Sequence, residues 1–391
     1  MAWAPPTADL DRLRSRAWIA GGAGALVTLV GALLDAPQFY RSYLVAWLLW
    51  LGIALGCSAV AMLHHLSRGA WGVVIRRVLE AAARTLPALA VLFVPVLLGM
   101  PHLYVWTQEA VVEADAALAE KALYLNEPFF IARAGFYFLV WIGFALLLSR
   151  LSGRQDASGD PALFRRMQQV AAAGLVLYCL TISFAAFDWL MSIDPHWYST
   201  IFGVYMIGGQ GLAAFAFVVA VAFFLSRRPP MDAVYQPRHF HDYGNLMLAF
   251  VMLWAYFAVS QYLIIWAGNL PGEIRWFLAR RQGPWPWLAA ALALFHFGLP
   301  FLLLLSRGLK RQMRALAAVA LLVLFMRWVD LYWLAVPSFH EPSAFHWLDL
   351  ATMVAVGGVW LGIFCTELKR RPLLPVNDPY LQEALAHGSD H

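Results

Sequence analysis

Charge is what this sequence has least of. Only 13% of its 391 residues are charged, against 62% hydrophobic, and the mean hydropathy is +0.65. A soluble domain of that length needs far more polar surface, so no sizeable water-soluble domain fits, and lipid is the solvent for most of the chain. Cysteine is scarce as well. Cys57, Cys179 and Cys365 stand alone in apolar segments; without a CxxC pair or iron–sulfur spacing they read as small packing residues. No glycine-rich phosphate loop occurs, which argues against nucleotide hydrolysis. Mid-membrane histidine is effectively single, which argues against a bridged haem and a redox centre of the chain's own. The formal net charge of +5 does not mark a nucleic-acid partner, because the basic residues sit in short runs between apolar stretches.

What is abundant fits a bilayer. Eighteen Trp and fourteen Tyr suit two membrane–water interfaces. A membrane-crossing helix takes about 20 apolar residues. Such stretches fall at 17–35, 42–66, 83–106, 129–149, 166–190, 199–225, 242–267, 285–306, 313–336 and 345–366, with 367–391 as a tail. They are too long and too little alternating for barrel strands, so the expected fold is an all-α polytopic bundle of ten spans in one integral membrane domain. Arg12, Arg14 and Arg16 ahead of the first span read as a retained signal anchor.

One set of loops carries nearly all the basic residues, among them Arg68, Arg76, Arg77, Arg84, Arg150, Arg154, Arg227, Arg228, Arg307, Lys310, Arg311 and Lys369. The opposite loops hold only Arg41, Lys121, Arg275, Arg280 and Arg281, and Arg133 and Arg327 fall inside spans. The positive-inside rule therefore puts both termini in the cytoplasm. Leu-Ser-Arg closes the even-numbered spans at 66–68, 148–150, 225–227 and 305–307, as duplicated hairpins would. A second echo sets Phe184 to Leu190 against Phe257 to Leu263, matching Asp188 with Gln261. Such repeats also occur in carriers.

An ionisable side chain at mid-span costs about 2.5–3.5 kcal/mol on insertion scales, so those present call for a reason. Near the cytoplasmic side are His64, His65, His239, His241 and Asp242; their structural reading is an N-cap at Asp242 and interfacial histidines. His296 lies in the middle of the eighth span, four residues before Pro300, which deprives the His296 carbonyl of its helical partner and predicts a kink. Toward the outer side come Asp188, Asp194 and His196, then Arg327 and Asp330 three residues apart, then His340, Glu341, His346 and Asp349. Read as a relay, these give a cytoplasmic half-path (His64, His65, His239, His241, Asp242), a midpoint at His296, and an outer half-path (Asp188, Asp194, His196, Arg327, Asp330, His346, Asp349). Gly208, Gly209 and Gly211 around Gln210 read as close helix packing. The acidic outer stretch Glu109 to Tyr124 reads as a helix lying along the surface.

The stretch FDWLMSIDPHWYSTIFGVYMIGG at 187–209, the block HFHDYGNLMLAFVMLWAYFAVSQYLIIWAGN at 239–269, and Leu373-Leu374-Pro375 with Asn377-Asp378-Pro379 together resemble the membrane subunits of bacterial alternative complex III. Those subunits are similar to the membrane subunit of polysulfide reductase, the NrfD-like family, and the likeness is greatest to the ten-helix F subunit. The resemblance implies two NrfD-like four-helix bundles plus two extra helices, in the bacterial cytoplasmic (inner) membrane. It implies partners: an NrfD-like paralogue, an iron–sulfur/molybdopterin-like subunit, multihaem cytochrome c subunits and a terminal oxidase. Haem c and iron–sulfur clusters would belong to those partners, and electrons would pass from menaquinol or ubiquinol to a cytochrome c or an oxidase. The F-type role it implies is a proton pathway coupled to quinol oxidation in the neighbouring subunit. Three alternatives stay open: a quinone site in this chain, formed by Asp188, His196 and Arg133 with Trp189, Trp197 and Tyr198 as walls; a stand-alone secondary transporter; and a structural anchor.

Overall fold

The computed structural model describes residues 3–339 and 345–387. His340 and Glu341 lie outside the described residues. The chain is helical, with no strand among the described residues, and ten helices are long and apolar enough to cross a membrane. They are α1 (Thr7–Leu34), α2 (Ala36–Ser67), α3 (Arg76–Leu98), α4 (Glu127–Ser158), α5 (Pro161–Ile193), α6 (Phe202–Leu225), α7 (Pro237–Gly268), α8 (Trp285–Leu305), α9 (Met313–Phe339) and α10 (Trp347–Lys369). The protein is a multi-pass helical membrane protein.

Helices α2 to α5 form one group and α6 to α9 another; they meet where α6 packs on α2 and α5. The most apolar stretch of α2 is 89% buried and that of α6 72%, whereas α8 reaches only 22%. So α2 and α6 form the axis of the bundle and α8 lies at its lipid-facing edge. Helix α10 packs on α2, and α1 packs on α10.

The α1–α10 contact is made by small residues. Ala17, Gly21, Gly24, Thr28 and Gly31 form the buried stripe of α1. A Cβ at Gly21 would meet the backbone of Gly358 and Val359, and one at Gly24 the backbone of Ala355. Between apolar helices in lipid, such backbone approach supplies the packing attraction that hydrophobicity does not. Gly358→Leu is therefore expected to lower stability by about 1–3 kcal/mol. Gly22→Leu, on the open face of the same helix, should leave the melting temperature in detergent near that of the parent.

Helix α3 is wound in short pieces. Pro87 and Pro95 each open a new segment at its first turn, where the missing N–H costs nothing. At the breaks the hydrogen bonds shorten: Phe93 N donates to Ala90 O and Val96 N to Phe93 O. That frees the carbonyls of Leu89 and Leu92, which accept from Trp47 Nε1 (3.0 Å) and Tyr43 OH (2.7 Å) of α2. Neighbouring side chains thus satisfy the carbonyls that the breaks release, as the absence of water in the bilayer core demands.

Three sequence expectations change in detail. Helix α7 begins at Pro237 with Gln236 as its cap, so Asp242 is not an N-cap. The fixed φ of proline at the first position sets the start earlier. Helix α4 runs on past Leu-Ser-Arg to Ser158, where Gly159 ends it at φ +65°. The outer acidic stretch is not one helix but two, Glu109–Ala114 and Ala116–Lys121, because Asp115 turns to cap the second.

Candidate functional site

Four separate polar clusters hold the residues that the sequence reading had strung into one path. The deepest is at Arg327 and Asp330 of α9, which are 2% and 0% exposed and in direct ion-pair contact. Tyr205 OH of α6 donates to Asp330 Oδ1 (2.6 Å) and Trp254 Nε1 of α7 to Oδ2 (3.0 Å). The i,i+3 spacing puts the pair on one helix face. Room for the guanidinium comes from Gly209, where any Cβ would collide with it. The glycine cluster of α6 packs throughout: Gly208 lies against Phe257 and Gly211 against Phe250.

His296 stands beside this cluster. It is fully buried, its ring lies edge-on to Trp254 at 4.4 Å, and neither of its nitrogens has a protein partner. The helix around it, Leu292–Gly298, is a π-helix ending just before Pro300. The predicted kink takes this form because i→i+5 bonds carry the backbone past the ring that would clash with the His296 carbonyl. A cavity of about 790 Å³ opens against Trp254, Tyr205, Asp330, Gln261, Leu292 and Phe297. Of the predicted relay residues, this site brings together Arg327, Asp330 and His296.

The second cluster joins α4 to α5. Arg133 donates Nε and Nη2 to the two oxygens of Asp188, both at 2.9 Å, and Tyr137 OH donates to Oδ2 at 2.8 Å. The guanidinium also lies over Tyr124 (3.8 Å) and Phe129 (4.3 Å). Such a fork–fork pair consumes both carboxylate oxygens. Trp189 is enclosed by Trp47, Phe93, Phe138 and Trp141. His196 reaches outward to Asp115 (Nε2 to Oδ2, 2.8 Å), and Trp197 stacks on Trp276. Asp194 is buried in the turn, where its carbonyl accepts from Trp197 N. A cavity of about 300 Å³ here borders Tyr124, Trp197 and Tyr198. Asp188, Arg133, His196 and Trp189 are not among its walls, so the structure does not gather the quinone set read from sequence into one pocket.

The third is at the start of α10, where His346 and Asp349 form a capping box: Nδ1 of His346 accepts from Leu348 N, and Asp349 Oδ2 from His346 N. Ser42 donates to the other Asp349 oxygen. Their role is to start a helix and tie it to α2.

The fourth lies on the arginine-rich side. His64 and His65 are buried at the end of α2, their rings 5.9 Å apart, with His64 edge-on to Trp71. His239 is spent on structure: Nδ1 accepts from Gln236 N, leaving Nε2 to donate to Ala384 O (3.1 Å) of the terminal helix Leu381–His387. His241 and Asp242 are half-buried neighbours, 3.6 Å apart. Below them is an ion network that sequence reading missed. Glu80 binds Arg76 (2.9 Å) and Arg77 (2.6 Å) and accepts from Ser152; Arg76 also binds Asp378 (2.6 Å), and Arg77 binds Asp156. Arg84 binds Glu367 of α10 at 2.8 Å. Arg76 and Arg77 read in sequence as loop residues that mark topology, yet they belong to α3 and are 1% and 2% exposed. The one available signal was Glu80, a lone acid among four arginines.

The fold and these sites define a polytopic helical membrane protein with ion pairs buried in both helix groups. No family model matches the chain, and no curated protein matches it in sequence.

Proposed function

We propose that this chain is a membrane subunit of a quinol-oxidising respiratory complex, and that it carries protons between the two sides while a partner subunit oxidises quinol. The observation that carries the proposal is His296. An imidazole fully buried with no protein partner on either nitrogen, separated by the ring of Trp254 from Asp330, which itself lines the cavity, is arranged to accept a proton on one nitrogen and release one from the other. A purely anchoring helix has no use for such a group, whose burial without a hydrogen bond costs about 1–3 kcal/mol. The assembly itself, with its multihaem and iron–sulfur partners, rests on the sequence resemblance. A transporter reading gains little: the irregular backbone of α8 has no counterpart in α4, the span two hairpins earlier.

The test uses the complex purified from native membranes, where co-purifying multihaem and iron–sulfur subunits are expected. In proteoliposomes, His296→Leu should lower the number of protons moved per electron while quinol oxidation continues. Because His296 holds no partner, the substitution removes no hydrogen bond and relieves the cost of its burial, so the melting temperature should stay at or above the parent value. Undiminished proton stoichiometry would exclude His296 from any path. Asp188→Asn is the companion variant; the same null result would remove Asp188.

A further inference from the structure

Among the described residues, buried arginines face carboxylates, with one exception. Arg76, Arg77, Arg133 and Arg327 each make an ion pair. Arg280, only 3% exposed, has no carboxylate within ion-pair reach among the described residues. It follows the short outer helix Pro271–Ala279. Its nitrogens donate to the carbonyls of Trp276 (3.0 Å), Trp333 (3.1 Å) and Leu334 (2.7 Å) and to Ser338 Oγ (3.1 Å). The guanidinium also lies 3.3 Å over the ring of Trp276.

These contacts fix the side chain but leave its charge. Carbonyls at the end of α9 contribute about half a negative charge. The guanidinium cannot shed its proton, so burial leaves positive potential at this point. That burial pushes the Arg280 pKa down, and the charge of Asp194 opposes the shift only from a distance. One of its five N–H groups remains uncommitted, and the adjoining Arg281 is exposed and unpaired among the described residues.

Both arginines line the 790 Å³ cavity between α7, α8 and α9. Its volume falls in the range of sites for small amphipathic ligands, about 300–1,000 Å³. Apart from Tyr205, Gln261 and Asp330, the last already paired with Arg327, the rest of the wall is apolar, and part of it faces outward: Tyr262 is 47% exposed, Trp266 63% and Leu278 45%. The opening therefore faces the bilayer sideways, with the cationic end at the interface and apolar wall beyond it.

We propose that this cavity is a binding site for an anionic phospholipid, with its phosphate at Arg280 and Arg281 and an acyl chain along Tyr262, Trp266 and Phe277. A ligand without charge, such as a quinone, would fill the apolar part and leave the arginine uncompensated. The site shares the cavity that borders Asp330, but the inference rests on Arg280 and Arg281 and not on the proton-carrying role.

The test takes the purified full chain, stripped of lipid in detergent and then titrated while its melting temperature is followed. Phosphatidylglycerol should raise the melting temperature at concentrations where phosphatidylcholine and inorganic phosphate do not. Arg281→Gln, at an exposed position, should weaken the phosphatidylglycerol response by about tenfold, the worth of one charge-assisted contact. Ala289→Trp, which fills the cavity and keeps both charges, should abolish it. Equal response to phosphatidylcholine, or an unchanged response in both variants, would overturn the proposal. So would a purified protein that retains quinone at one per chain and no phospholipid phosphorus.

Discussion

Arg327→Gln is expected to be among the most damaging single substitutions in the chain, at about 3–5 kcal/mol. The substitution leaves Asp330 at 0% exposure with only Tyr205 and Trp254 to hold it, and two neutral donors do not replace a counter-charge. The effect comes from the orphaned carboxylate and not from lost attraction alone. Adding Asp330→Asn to Arg327→Gln should therefore recover a large part of the loss, and Asp330→Asn alone should cost less than Arg327→Gln. Denaturation of the three variants in the same detergent provides the measurement. If Arg327→Gln stays within about 1 kcal/mol of the parent, a typical surface-pair value, then Asp330 is already protonated in the native protein.

Glu80→Ala should be comparably severe, again about 3–5 kcal/mol, for the converse reason. Glu80 is the shared anion of Arg76 and Arg77 and lies 3.8 Å from Arg371; without it two buried guanidiniums are left crowded together. Asp378→Asn should cost less, because Arg76 keeps Glu80. The two variants should also differ in where they fail. Asp378 belongs to the tail, which Asn377 further secures by donating to Asp156 O (2.9 Å). Asp378→Asn should thus expose the segment at 372–380 to limited proteolysis at temperatures where the spans remain folded. Equal cleavage of parent and variant would show that the network does not retain the tail.

The ten spans were legible in the sequence because membrane insertion is decided by local hydropathy, and the segments carry it individually. Arg327 and Asp330 were legible as a pair because three residues on a helix is a fixed geometry. Arg133 and Asp188 were grouped only as candidate quinone contacts; their ion pair was not legible, since 55 residues separate them and only helix packing brings α4 against α5. The network of Arg76, Arg77 and Glu80 was misread for a related reason. Basic residues beside a span report topology by their number, but that says nothing about whether they point into water or into the bundle. His346, Asp349 and His239 looked like titratable groups awaiting a role when they belong to helix capping boxes, His346 with Asp349 and His239 with Gln236. Histidine is an uncommon capping residue, so composition rules that favour Ser, Thr, Asp and Asn pass over it. His296 was singled out by its depth and by Pro300; that it would be left without partners could not be foreseen from one helix.

The glycine stripe of α1 has a consequence for biosynthesis. Its partner, α10, leaves the ribosome long after it, so α1 stays in the bilayer without its mate while the eight intervening spans are made. At about 5–20 residues per second that delay is on the order of tens of seconds. Throughout it, a backbone groove shaped for another helix is open to chaperones, to insertases and to quality-control proteases. A nonsense mutation just before α10 would make that exposure permanent, and the truncated chain should be cleared from the membrane even though nine of its spans are intact.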